Sequence, residues 1–272
     1  MTDLPPAPYL PTSHPDVFES TPLAQAGWYD SGQHGGVVSA LIGRAIERAP
    51  TLTPMETARL TVELVRVVPI VPLRVATRIL REGKKIQLVE ASLLDADDVE
   101  LARGVGLRLR TEELELPETA AVPPLDLPLP EDSDPPDMEH FGLGEPGRLL
   151  YHRHAIEVRQ VAGGFDHLGP GAMWLRMLSP LVAGEPVTAL TRAVVAGDFV
   201  NGLSRLVDSW QYVFMNADLT IHLHRRPVGE WVGVDATSRY GPTGRGSAGG
   251  RLVDVSGEMG RSTQTLFIAP AG

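Results

Sequence analysis

Residues 58–66 read ARLTVELVR, and residues 217–225 read ADLTIHLHR. Both fit A-x-L-T-(V/I)-x-L-x-R, and they lie 159 positions apart. A second echo, Ala102-Arg103 against Gly260-Arg261, falls at a separation of 158. Two matches at nearly one offset, both in strand-like runs, point to a tandem duplication. Alternation within the second stretch puts Leu219, Ile221 and Leu223 on one strand face, with Asp218, Thr220, His222 and His224 on the other. That pattern suits an antiparallel sheet with one covered face.

Working outward, each copy shows the same order of elements. In the first, Val37, Val38, Leu41, Ile42, Ala45 and Ile46 follow helical spacing from Gly36 to Arg48, with Gly35 and Gly36 at the start and Pro50 as a stop. Strand-like runs follow at 57–68, 72–82, 85–95 and 100–110. In the second, strand-like 154–162 and 172–178 precede a helical stretch beginning near Pro186, a good first-turn residue, and running to Trp210. Runs at 217–225, 230–239, 249–257 and 260–268 then read as strands. A helix followed by an antiparallel meander, twice over, predicts an α+β fold.

Proline and charge mark the boundaries. Residues 111–150 contain eight prolines and eleven Asp/Glu against one Arg, while the rest of the chain holds 23 acidic and 23 basic residues. Proline removes backbone donors and fixes φ, so this segment reads as an extended linker. The expected organisation is a Pro-rich N-terminal arm over 1–20, one module over 21–110, an acidic linker over 111–149 and a second module over 150–272. The net charge of −10 therefore belongs to the linker and says little about what the folded parts bind. The linker is expected to be inert or to cover an edge strand.

Several chemistries are disfavoured. The chain has no cysteine, which removes thiol nucleophiles, disulfides and Cys–zinc sites. The start lacks a signal-peptide pattern and no run is long enough to cross a bilayer, so a soluble, cytoplasmic protein without membrane attachment is expected. No basic patch with interleaved aromatics argues for nucleic acid. Gly244-Arg-Gly246-Ser-Ala-Gly249 fits G-x-G-x-x-G literally but leads into a strand, so it reads as a turn. Arg245 stands two before Ser247, so no nucleophile elbow exists there. His222 and His224 share a strand face but lack further ligands, and neither metal nor cofactor is expected.

Polar residues accumulate in the second copy. Asp218 stands where the first has Arg59, His222 and His224 face Glu63 and Val65, and Gln264 is opposite Gly106. The chain resembles the double-hotdog acyl-CoA thioesterases of the thioesterase II type, over most of both modules but not the linker. The resemblance rests on Ala217-Asp218-Leu-Thr-Ile-His-Leu-His224-Arg225-Arg226-Pro227, on Glu230-Trp231, on Asp235-Ala236-Thr237-Ser238, on Ser262-Thr263-Gln264, and on Ala196-Gly197-Asp198-Phe199. It departs from the family at Leu219, where a His is usual, and at Asp235, where a Glu is. Gln264 follows Ser-Thr directly, one residue early. The first helix opens with Gln33-His34-Gly35-Gly36, closer to single-hotdog thioesterases.

The resemblance implies two hotdog modules, each an antiparallel sheet wrapped around a central helix, and an acyl-CoA substrate. Carried over by position, it implies a catalytic set of Asp218, Thr237 and Gln264. Asp218 would act on a water as general base, held in line by the other two. Backbone N–H groups at a helix start, either Gly35-Gly36 beside His34 or the loop leading into the second helix, would receive the oxyanion. Arg225 and Arg239, with Arg226 and Arg245 nearby, are candidates for CoA phosphates. Hotdog modules also act as hydratases, for which Asp198 or Asp218 could pair with His34, or simply hold an acyl chain. A homodimer is compatible with the way such sheets pack in pairs.

Overall fold

A computed structural model describes residues 4–27, 32–136 and 148–271. The first copy runs β1 (Tyr9–Pro11), β2 (Val17–Ser20), α1 (Gly35–Glu47), β3 (Met55–Glu63), β4 (Leu73–Arg81), β5 (Ile86–Leu94) and β6 (Glu100–Arg110). The second runs α2 (Tyr151–His154), β7 (Ile156–Ala162), β8 (Gly171–Met177), α3 (Ala189–Gly197), α4 (Val200–Leu203), β9 (Tyr212–Asn216), β10 (Asp218–Leu223), β11 (Trp231–Tyr240), β12 (Arg245–Asp254) and β13 (Gly257–Pro270).

All strands join one antiparallel sheet in the order β1-β2-β4-β5-β6-β3-β10-β13-β12-β11-β8-β7, with β9 beside the end of β13. Read from its far edge, the second half repeats the first. The halves meet where β3 pairs with β10, and Thr61 lies directly opposite Thr220 with their hydroxyls 3.2 Å apart. These are the same two residues that the sequence repeat aligns, so an approximate two-fold axis passes between them.

Hydrophobic burial gives each strand its orientation. Leu60 and Val62 on β3 and Leu219 and Ile221 on β10 are buried in one core with Val37, Leu41, Ile42 and Ile46 of α1 and Val194 and Val195 of α3. The two helices pack on each other beneath the sheet. His34 caps α1, its Nδ1 accepting from the Gly36 N–H, and Thr188 caps α3 by accepting from Thr191.

The copies differ where helix meets sheet. On β6, Gly104 and Gly106 leave room for α1, since a Cβ there would lie 2.7 Å from Ile42 Cγ2 and 2.4 Å from Ile46 Cγ2. At the matching places β13 carries Ser262 and Gln264, both buried. They fit because α3 is shorter and stops at Gly197, whose carbonyl accepts from Ser262 Oγ at 2.7 Å. Side-chain bulk that α1 occupies in one copy is replaced by polar groups in the other.

Two expectations need correction. Residues 9–20 are not a separate arm: β1 and β2 extend the first half of the sheet through β4. The helical stretch expected to reach Trp210 breaks at Asp198–Phe199, and four-residue α4 ends as Ser204 Oγ bonds back to the Val200 carbonyl at 2.6 Å. Beyond it lies β9, which forms by antiparallel pairing with the end of β13. Within the linker's described part, residues 122–134 lie against the second half. Trp174 Nε1 donates to the Pro128 carbonyl at 2.8 Å, Arg251 pairs with Asp126, and Asp134 bridges to Gln160 on edge strand β7. Among the described residues no helix is long and apolar enough to cross a membrane.

Candidate active site

Asp198 follows the last turn of α3 as its C-cap, and the helix crossing brings it against the first turn of α1. Its carboxylate is held on three sides. Asn216 Nδ2 donates to Oδ1 at 2.8 Å, Gln264 Nε2 donates to Oδ1 at 3.0 Å, and His34 Nδ1 lies 3.1 Å from Oδ2. Gln264 also reaches the Asp198 carbonyl, at 3.1 Å. The Asp198 side chain is 6% exposed and that of His34 11%. A carboxylate so placed is costly unless hydrogen-bonded, and here it is.

Gly35 and Gly36 ease this approach. A Cβ on Gly35 would lie 3.1 Å from both carboxylate oxygens, and one on Gly36 would lie 3.1 Å from Asp198 Cβ and 3.2 Å from the Val195 carbonyl. A helix start with a carboxylate against it carries backbone N–H groups and the positive end of the helix dipole.

His34 is the hinge of the arrangement. Its Nδ1 is 3.2 Å from the Gly36 nitrogen and 3.1 Å from Asp198 Oδ2. Without a proton, Nδ1 accepts from Gly36; with one, it donates to Asp198 and releases the Gly36 N–H. The ring sits among Phe199 at 5.1 Å, Tyr151 at 5.4 Å and His152 at 6.2 Å between centroids. Burial, and then the charge of Asp198, push the Tyr151 hydroxyl well above its ordinary pKa. Burial first, then the charges of His34, Arg153 and His154, push His152 down to about 3, so it is neutral. Two buried atoms, Gln264 Oε1 and the Tyr151 hydroxyl, have no hydrogen-bond partner among the described residues.

Of the residues singled out from sequence, the structure brings together His34, Gly35, Gly36, Asp198 and Gln264. It does not bring Asp218 or Thr237 to them. Both lie on the outer face of the sheet, opposite the helices: Asp218 accepts from the Thr265 N–H at 2.6 Å, and exposed Thr237 alternates with buried Ala236 and Ser238. Strand alternation is the reason, because Leu219 and Ile221 take the covered face and leave Asp218 on the other. Arg225 is engaged elsewhere, in a bidentate pair with fully buried Asp254 at 2.6 and 2.7 Å. Arg239 is exposed and donates to the Ser238 carbonyl. Asn216 and Tyr151 were not anticipated; an Asn closing an apolar strand was the available signal for the first. Among the described residues no group of His, Asp and Glu could hold a metal.

The two-fold relation shows what became of the equivalent place in the other copy. Ten residues after the cap, α3 has Asp198 and α1 has Arg44. Arg44 reaches the approach to α3, where Nε and Nη2 grip both oxygens of Glu185 at 2.6 and 2.5 Å, while Thr188 bonds Glu47. An ion pair fills the position that holds the carboxylate–histidine contact on the other side.

Two half-sheets of one topology, each with a helix beneath, and a polar cluster at the crossing of those helices define a double-hotdog protein. The sequence profile of the acyl-CoA thioesterase N-terminal domain matches residues 24–109, and that of the acyl-CoA thioesterase C-terminal domain matches residues 124–268. The chain belongs to this acyl-CoA thioesterase family. Similar solved structures include a conserved hotdog-fold protein of unknown function from Alicyclobacillus acidocaldarius, with 17% identity, a TM-score of 0.70 and 94% of each chain covered. The acyl-CoA thioesterase II TesB2 from Mycobacterium marinum has 12% identity and a TM-score of 0.65 over 96% of each chain. The tesB protein of Mycobacterium avium subs paratuberculosis has 15% identity and a TM-score of 0.65, covering 96% of this chain and 95% of that one. At such identities the likeness is one of fold. No curated protein matches the sequence.

Proposed function

We propose that this protein hydrolyses acyl-CoA thioesters by direct attack of water, with Asp198 as the general base. The observation that carries this reading is the buried Asp198 carboxylate, held by Asn216, Gln264 and His34 against the first turn of α1. A water between Asp198 and the unpartnered Gln264 Oε1 would give its proton to the carboxylate as its oxygen bonds to the thioester carbon. Negative charge developing on the carbonyl oxygen would fall at the start of α1, where N–H groups and the helix dipole favour it. A proton on His34 Nδ1 would free the Gly36 N–H for that oxygen. The carbon–sulfur bond then breaks, and the proton on Asp198 passes to the departing thiolate, leaving a free acid and CoA. No covalent enzyme intermediate enters.

The same carboxylate–imidazole contact is what a hydratase would use. The family match over both domains favours hydrolysis. The test is release of free CoA from acyl-CoAs of graded length by the wild-type protein and by Gln264→Leu. The wild type should turn over, and the variant should lose about a hundredfold in kcat/KM, the cost of a misplaced attacking water. Hydration of 2-enoyl-CoAs without thiol release, or no turnover of any acyl-CoA, would overturn the reading.

A further inference from the structure

Gln33 is buried immediately before the cap of α1, and every polar atom of its side chain is engaged. Its Nε2 donates to the Pro69 carbonyl at 2.7 Å and to Ser20 Oγ at 2.8 Å, and its Oε1 accepts from the Tyr9 hydroxyl at 2.6 Å. A carbonyl oxygen can only accept, so the Pro69 contact fixes which end of the amide is nitrogen and makes Tyr9 the donor. The backbone of this turn is tied as well. The Gln33 N–H donates to the Val68 carbonyl and the His34 N–H to the Ala24 carbonyl, both at 2.8 Å. A buried network satisfied in this way holds one geometry.

Tyr9, fully buried on β1, joins the same turn to the second half. Its N–H donates to the Leu181 carbonyl at 3.2 Å and its carbonyl accepts from the Ala183 N–H at 2.9 Å, a parallel bridge to the stretch that leads into α3. Burial, and then the charge of Tyr151, push its hydroxyl well above its ordinary pKa, so it keeps the proton it donates. One residue therefore links the chain entering α3 to the chain entering α1. Neither Tyr9 nor Gln33 is hydrogen-bonded to Asp198. What they hold is the next residue, His34, whose Nδ1 stands 3.1 Å from Asp198 Oδ2 and 3.2 Å from the Gly36 nitrogen. Any shift of the turn at Gln33 changes both separations.

We propose that Gln33 and Tyr9 are positioning residues for the hydrolysis: they set the turn before α1 so that the His34 ring meets Asp198 and the Gly36 N–H faces the reacting carbonyl. The assignment rests on the thioesterase reading above. Glutamine suits the place because it supplies two donors and an acceptor without charge, and asparagine would do so one methylene short. The N-terminal strand β1 is then part of the scaffold of the site as well as an extension of the sheet.

The experiment measures kcat and KM on acetyl-, hexanoyl- and palmitoyl-CoA for wild type, Tyr9→Phe, Gln33→Met and the double variant. Thermal unfolding and the imidazole nitrogen resonances of His34 are recorded on each. Gln33→Met should lose about ten- to hundredfold in kcat with KM within about twofold, the signature of misplaced groups, and Tyr9→Phe should lose less. The double variant should be no slower than Gln33→Met, because both changes remove one shared contact. The His34 resonances should shift in each variant. A lowered Tm with kcat unchanged per folded molecule would leave these residues a purely structural role and overturn the proposal, as would unmoved His34 resonances or a rise in KM alone. If Gln33→Met does not fold, Tyr9→Phe, which removes a single oxygen atom, decides on the same criteria. A wild type that hydrolyses no acyl-CoA would remove the thioesterase reading, while the His34 resonances still decide whether Gln33 and Tyr9 set the ring.

Discussion

Converting Asp198 and Asp218 to Asn, one at a time, separates the two faces of the sheet. In Asp198→Asn the amide oxygen can take the Oδ1 position and still accept from Asn216 and Gln264, while the amide nitrogen donates to His34 Nδ1. All three contacts survive as neutral ones. Hydrogen bonds to a charged group contribute roughly 1.5–3 kcal/mol and neutral ones about 0.5–1.5, a loss of about 3 kcal/mol over three contacts. The smaller desolvation cost of a neutral amide offsets part of that, leaving an expected cost of about 1–2 kcal/mol. For a chain of this size that lowers Tm by only a few degrees, about 2–4 °C per kcal/mol. Activity should fall much further, by about 10²–10⁴, because an amide cannot accept the proton of the attacking water. Asp218→Asn keeps an acceptor for the Thr265 N–H on the outer face and should stay within about twofold of wild type, as surface changes away from such sites do. The assay is thiol release read with a chromogenic disulfide reagent, which reports CoA alone because the chain has no cysteine. An inactive Asp218→Asn beside an active Asp198→Asn would refute the site assignment.

Two further outcomes follow from packing and charge. His152 has a pKa depressed from 6.5 to about 3, so the unfolded chain binds its proton first. Its contribution is fully present above about pH 6.5 and is lost as pH falls toward 3, by up to about 1.4 kcal/mol per pH unit. Denaturant unfolding at about pH 7 and about pH 5 should show that slope, and His152→Phe should reduce it; identical slopes would exclude His152 as the source. Gly106→Ala would put a Cβ 2.4 Å from Ile46 Cγ2, where contacts of ~3.5–4 Å are normal, and should cost about 1–3 kcal/mol. In an Ile46→Ala background the same change should cost little, and strict additivity in the double-mutant cycle would contradict the packing described.

The recognition of one scaffold used twice was available in the letters. The stretches at 58–66 and 217–225 recur because both strands must bury a Leu and a β-branched residue under a helix, and both fill the same place in the sheet. The span of α1 was legible from its apolar spacing, and Gln264 against Gly106 was legible as a difference between copies. The break after α3 was not. Residues 186–210 keep helix-compatible spacing, and the chain turns at Asp198 because Ser262 and Gln264 offer partners there that no local pattern contains.

The choice of catalytic carboxylate shows the same division. Alternation along 217–225 correctly separated Asp218 from Leu219 and Ile221, yet period two cannot say which face of a strand meets the substrate. The apolar face packs on the helices, and the polar cluster lies beneath the sheet with it, where α3 delivers Asp198 and α1 delivers His34. These residues are 164 positions apart and meet only because the helices cross. By itself the sequence determined the duplication, the helix and four-strand meander of each copy, and the family, all of which rest on local periodicity and short motifs. Which aspartate is buried beside a helix start, and that Arg44 and Glu185 close the equivalent place, was decided by tertiary packing, because those contacts join residues far apart in the chain.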